Sequence, residues 1–147
     1  MTMAAGIVAE IQRWRVGLGD WLDRWCEELP WRQRIALGRR GEAAAGRHLK
    51  RCGYRILARN FHVAGGEIDL IAMDRATLVF VEVKARSGAA AGLPEEAVDA
   101  RKQGRIRRAA AIYAARNRAG THEIRFDVVA IMGVGRKRRL EIFKDAF

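Results

Sequence analysis

The chain has 147 residues, half of them apolar and 31% charged, a composition that supports one globular domain with a hydrophobic core and excludes a disordered polyelectrolyte. No apolar run approaches the roughly 18 residues that a membrane span needs, and Met1–Ala9 lacks a basic leader, so the expectation is a cytoplasmic protein without a signal peptide. Net charge is +11, yet residues 1–31 carry −2, so the remaining 116 residues carry +13 and a polyanion is the expected partner.

In chain order, Ile7, Ile11, Trp14, Leu18, Trp21 and Trp25 recur at spacings of three and four, which draws one apolar seam along an N-terminal helix. Pro30 ends that helix or opens the linker after it, and residues 1–34 form a segment apart from a domain over 35–147. The segment is net acidic, so docking on its own domain, on a second copy or on a partner protein through residues 7–29 suits it better than an anionic membrane. A second helix is expected from Ile35 to about Gly53, with a stripe of Gly38, Glu42, Ala45, Leu49 and Cys52 in which Glu42 is an acid on the core side. Cys26 and Cys52 form no CxxC or Cys/His pattern and read as reduced, small apolar residues. His48, His62 and His122 are scattered, which argues against zinc.

Three strand-like runs follow: Tyr54 to Phe61, Glu67 to Met73 and Thr77 to Ala85. The last two are joined by Asp74-Arg75-Ala76 into an antiparallel hairpin. After a Gly/Ala-rich loop, Pro94 opens a long helix from Glu95 to about Arg118, closed by Gly120 and buried along Ile106, Ala109, Ala110 and Tyr113. One turn back along that stripe lies Lys102, which therefore points inward or snorkels from the stripe's end. Strand Glu123 to Met132 completes an αβββαβ order and Leu140 to Phe143 adds a last short strand, an α/β or α+β fold with helices on the faces of a small mixed sheet and an extra N-terminal amphipathic helix.

The charges inside these strands carry the functional signal. In Val79-Phe80-Val81-Glu82-Val83-Lys84 the alternation of a strand puts Phe80, Glu82 and Lys84 on one face and the valines on the other. In Gly66-Glu67-Ile68-Asp69-Leu70-Ile71 a second apolar strand carries Glu67 and Asp69. About 0.6 acid-x-Lys triplets arise by chance in such a composition, so the triplet alone is weak. Asp69 and Glu82 on neighbouring strands, with Glu42 on a helix, form a stronger set. Two carboxylates suffice for Mg²⁺, which fills its octahedron with water and phosphate oxygens; Lys84 and Lys102 would supply cations near a phosphate. The alternative for Glu82 and Lys84 is an ion pair on an exposed strand, and for Glu67 a turn or edge carboxylate. Two basic blocks surround the set. Arg34 to Arg59 holds eight Lys/Arg against Glu42, and Arg101 to Arg118 seven against no acid. Arg39, Arg40, Arg86, Arg101, Arg105 and Arg108 are the candidate DNA contacts, or else a solvated face.

These residues resemble the PD-(D/E)xK nuclease superfamily. Gly41-Glu42, Asn60-Phe61, Gly66-Glu67-Ile68-Asp69-Leu70-Ile71, Val79 to Arg86, Lys102, Arg125-Phe126-Asp127-Val128-Val129 and the closing Lys144-Asp145-Ala146-Phe147 resemble, more closely, the YraN family over roughly residues 36–147. The resemblance implies a restriction-endonuclease-like fold related to that of archaeal Holliday-junction resolvases, with Glu42, Asp69, Glu82 and Lys84 in the catalytic positions. The site residues themselves lead to the expectation of a Mg²⁺- or Mn²⁺-dependent DNA endonuclease, and fold analogy adds structured or branched DNA in repair or recombination as its substrate. A non-catalytic nucleic-acid-binding accessory and a module that docks through the tryptophan helix are the competing expectations.

Overall fold

The computed structural model describes residues 31–86, 98–132 and 138–147. The tryptophan seam, the expected linker up to Pro30 and the Gly/Ala-rich loop lie outside the described residues.

Helix α1 spans Trp31–Arg51, four residues longer at its start than the Ile35 expected, so residues 31–34 belong to the helix and not to a linker. Its alanines, arginines and glutamate are good helix formers. At its other end Gly53 takes φ +91° and the Tyr54 amide reaches back to the Leu49 carbonyl at 3.0 Å, a glycine-based cap that also buries Leu49 and Tyr54 together. The expected stripe holds at Ala45 and Leu49, but its two ends are exposed. Gly38 and the free thiol of Cys52 face outward, and Cys52 is therefore not a core residue.

Strands β1 (Arg55–Val63), β2 (Gly66–Asp74) and β3 (Thr77–Arg86) form an antiparallel meander. Two-residue turns join them, with positive φ at Gly65 in the first and at Arg75 in the second. Helix α2 (Ala100–Arg116) follows. Asp99 is its cap, extended at ψ 159° and accepting the Lys102 amide, so the helix begins at Ala100 and not at Glu95. Aspartate wins here because its side chain satisfies an otherwise orphaned N–H. The helix ends before Arg118, which takes φ +52° while the Ala119 amide bonds the Ala114 carbonyl; Gly120, expected to close it, lies two residues further on. Strands β4 (Glu123–Met132) and β5 (Arg139–Phe143) complete a five-stranded sheet in the order β1-β2-β3-β4-β5. β4 runs parallel to β3 and antiparallel to β5, giving an α+β domain in the expected αβββαβ order plus the short last strand.

Each helix covers one face of the sheet. Ile106, Ala109, Ala110 and Tyr113 of α2 pack on Ile71, Leu78, Phe80, Phe126 and Val128. On the other face Ala45 and Leu49 of α1 meet Leu70, Val79, Val81 and Val129. The alternation read in β3 is therefore observed, and Glu82 and Lys84 share the α2 face with Phe80. Phe80 is fully buried and lies edge-on to Tyr113 at 6.0 Å and stacked with Phe126 at 5.7 Å. Phe80→Ala is expected to lower stability by about 3–5 kcal/mol, read as a shift in urea midpoint at unchanged slope.

Candidate active site

The site forms where β2 and β3 separate. Their pairing runs from Asp74–Thr77 to Leu70–Val81; at the next position Asp69 turns its carboxylate across the gap, and Oδ2 accepts the Val83 amide at 2.7 Å. A side chain thus takes over a bond of the ladder and holds the Asp69 carboxylate beside Glu82.

Glu82 is only 3% exposed, which rules out the exposed-strand ion pair. Its two oxygens have different fates. Oε1 accepts from Lys102 Nζ and lies 3.6 Å from Lys84 Nζ. Oε2 is buried and has no hydrogen-bond partner among the described residues. An orphaned carboxylate oxygen inside a protein is costly unless a cation or a donor visits it. Lys102, expected to point inward or to snorkel, points inward. Burial opposes its charge, yet the hydrogen bond and charge of Glu82, with Asp69 and Glu67 behind them, hold its pKa above the ordinary lysine value.

The Asp69 carboxyl is strongly perturbed. Burial, then the neighbouring charge of Glu82, push its pKa up to about 7, while the Val83 amide and Lys102 pull it down. Glu42, half-buried on α1, contributes the weakest of the upward pushes. It is close enough to be felt as charge, but it does not close onto the other two acids: among the described residues no group of three His, Cys, Asp or Glu side chains could hold a metal ion. Among the described residues the carboxylates here are therefore a pair. A pair suits Mg²⁺ or Mn²⁺, which leave most positions to water and substrate oxygens, and does not suit a structural zinc site.

Glu67 stands apart from the pair, exposed and 3.5 Å from His62, so the edge-carboxylate reading describes it. Arg39, Arg40, Arg101, Arg105 and Arg108 are all exposed, free to meet a polyanion. Arg86 ends β3, and its side chain lies outside the described residues. Arg107 is partly engaged, its guanidinium 4.9 Å over Phe126 and 5.7 Å over Phe147.

A second polar cluster is built mainly from residues that the sequence marks only as motifs of the resemblance, with no role assigned to them. On the α1 side of the sheet, Asp127 is fully buried. It accepts from Arg125 Nε at 2.8 Å, from Tyr54 Oη at 3.3 Å and from the Asp145 amide at 3.0 Å. Arg125 also bonds Asp74 at 2.8 Å, and Lys144 meets the same oxygen at 2.9 Å. Hydrogen bonds from Lys144 and Arg125 hold Asp74 below its ordinary pKa, and burial, then Asp127, push the Tyr54 hydroxyl up. The signal for it was an aspartate amid apolar strand residues, the same anomaly as Glu82.

A family model described as "Uncharacterised protein family UPF0102", the YraN family, matches residues 41–131. A UPF0102 protein of Syntrophotalea carbinolica is 45% identical over 115 residues, 78% of this chain and 94% of the relative. Those of Symbiobacterium thermophilum and Ectopseudomonas mendocina are 47% and 46% identical over 112 residues, 76% of this chain and 95% and 93% of theirs. The chain belongs to the UPF0102 family. No helix among the described residues is long and apolar enough to cross a membrane.

Proposed function

We propose that the chain is a Mg²⁺- or Mn²⁺-dependent endonuclease that hydrolyses phosphodiester bonds in structured or branched DNA, in repair or recombination. The observation that carries this reading is the divided carboxylate of Glu82, with Oε1 held by Lys102 and near Lys84 while the buried Oε2, beside Asp69, has no partner among the described residues. Asp69 and Glu82 would hold the metal, and Glu42, felt at Asp69 only as charge, would act through an intervening water. When bound, the metal supplies Lewis-acid stabilisation of the phosphate and a more acidic water. Lys84 would orient the attacking oxygen and stabilise charge on the phosphate, and Lys102 would hold Glu82 in place and add a second cation. The exposed arginines of α1 and α2, Arg39, Arg40, Arg101, Arg105 and Arg108, would carry the non-specific phosphate contacts.

Incubation with labelled duplex, flap, single-stranded and four-way-junction DNA plus Mn²⁺ tests the reading. Cleavage that is lost in Glu82→Ala and Lys84→Ala supports it; no cleavage of any substrate, or undiminished cleavage in those variants, overturns it. The Lys102–Glu82 ion pair favours a second reading, a nucleic-acid-binding accessory whose site is neutralised from within; junction binding without cleavage is its signature.

Asp69 gives the site a pH dependence. Its carboxyl must lose a proton to bind a cation, so metal affinity should rise about tenfold per pH unit below about 7 and level off above it. Linkage to folding has the opposite sign. A carboxyl raised from 3.8 to about 7 on folding favours the metal-free fold at low pH and loses that contribution as pH rises through about 7. Calorimetric titration with Mn²⁺ at pH 5.5 to 8 checks the first effect. Urea unfolding of the metal-free protein and of Asp69→Asn over the same range checks the second, and the variant should lose the downward slope.

A further inference from the structure

Beside the paired carboxylates a cleft of about 370 Å³ opens between the β1–β2 hairpin and α2, lined by His62, Gly65, Gly66, Glu67, Lys102 and Arg105 among others. Lys102 is common to both places: its ammonium bonds Glu82, and its side chain forms part of the cleft wall. Whatever enters the cleft is therefore adjacent to the reacting centre.

Backbone packing fixes the cleft's shape. A Cβ at Gly66 would lie 2.5 Å from the Arg105 carbonyl oxygen and 3.2 Å from Ala109 Cβ, so only glycine lets the hairpin approach α2 this closely. Gly65 takes φ +81°, which keeps the turn tight. Lys102 is paired with Glu82 and His62 lies against Glu67, so what this wall offers an anion is the exposed guanidinium of Arg105. The volume lies at the small end of the roughly 300–1,000 Å³ of ligand clefts. That is room for one nucleotide, and far too little for a duplex, which stacks two paired nucleotides at every step.

We propose that this cleft binds a single unpaired nucleotide of a DNA strand next to the scissile phosphate, with Arg105 on its phosphate, so that the substrates are strands with an unpaired nucleotide beside the cut. The proposal rests on reading Asp69 and Glu82 as a nuclease centre, and it explains how that centre selects a branch over continuous duplex. A duplex presents no free nucleotide to a one-nucleotide cleft and gains only the general phosphate contacts. A flap or an opened junction gains the cleft as well.

The test is a binding measurement, independent of cleavage. Fluorescence anisotropy of the full chain without divalent metal compares a duplex bearing a one-nucleotide flap with the same duplex fully paired. The flap is expected to bind about tenfold more tightly. Arg105→Glu should bring that ratio to about one. Arg116→Glu, an exposed arginine of the same helix that does not line the cleft, should weaken both DNAs by the same factor and leave the ratio intact. Equal affinities in the wild-type protein, or a flap preference that survives Arg105→Glu, overturn the subsite. Competition by free deoxyadenosine monophosphate that erases the flap preference at low millimolar concentration locates recognition in the nucleotide itself; failure to compete at any attainable concentration, with no dependence on Arg105, also overturns it. Failure of the nuclease reading would instead appear as absent cleavage with the flap ratio preserved.

Discussion

Glu82→Gln is expected to reduce metal-dependent cleavage by about 10³-fold or more while leaving the fold intact, and the pairing of those two results is what makes it informative. The substitution keeps the volume and one carbonyl-type oxygen but removes the charge with which a buried carboxylate would hold a divalent cation. A loss of 10³ corresponds to about 4 kcal/mol of transition-state stabilisation, within the several kcal/mol that a metal at a phosphoryl oxygen contributes. Stability should move much less. Glu82 is buried at 3% exposure with one oxygen unpartnered, a desolvation cost in the metal-free protein that the neutral amide relieves. Against that gain, Lys102 loses its ion pair, but its side chain is 23% exposed and can extend to water. Single-turnover cleavage of the best DNA substrate with Mn²⁺, alongside urea unfolding without metal, reads both quantities. A variant that cleaves within tenfold of wild type would remove Glu82 from the chemistry; one that unfolds several kcal/mol more easily would make its role structural.

The elements nearest the chemistry were the most legible in the sequence. β3 could be read because a strand's two-residue period left no other place for Glu82 and Lys84 than one face, and that face is the one under α2. Lys102 could be placed because the stripe Ile106, Ala109, Ala110 and Tyr113 fixes the helix phase; its contact with Glu82 could not, since that depends on how close α2 approaches β3. The approach is governed by Gly66 against the Arg105 carbonyl, a backbone contact between residues 39 positions apart that no local pattern encodes. The cleft was illegible for the same reason. Helix ends were misplaced where a side chain or a left-handed residue overrode the punctuation. Asp99 caps α2 after the Pro94-Glu95-Glu96 start signal, and Arg118 adopts the conformation expected of Gly120. Glu42 was placed on a core-facing stripe and is only half-buried, because the stripe frays where Gly38 and Cys52 reach solvent.

Asp127→Ala is expected to lower stability by about 3 kcal/mol, a larger effect than any change at the exposed arginines, and to do so without touching the candidate chemistry. Asp127 lies on the α1 face of β4 and Glu82 on the α2 face of β3, so the two acids are separated by the sheet itself. The carboxylate accepts from four donors: removing it strips Arg125 Nε, the Tyr54 hydroxyl and the Asp145 amide of their acceptor and leaves Arg125 Nη2 with Asp74 and the Tyr54 oxygen. Breaking a buried ion pair from one side costs about 3–5 kcal/mol because the remaining charge stays desolvated. The lower end applies here, since Arg125 keeps Asp74 at 2.8 Å and its side chain is 19% exposed. Part of the loss falls on the chain end: the Asp145 bond, with the Ala146 amide on the Phe126 carbonyl at 2.8 Å and Phe147 stacked on Phe126 at 5.4 Å, is what fastens residues 144–147 to β4. Asp127→Asn separates charge from geometry. It retains one acceptor for Arg125 and should recover roughly half of the lost stability if hydrogen bonding dominates. Hydrogen exchange at the 145 and 146 amides should quicken in Asp127→Ala, and cleavage measured well below the unfolding midpoint should stay within a few-fold of wild type. A destabilisation under 1 kcal/mol would place Asp127, despite its burial, among ion pairs that contribute no more than surface ones.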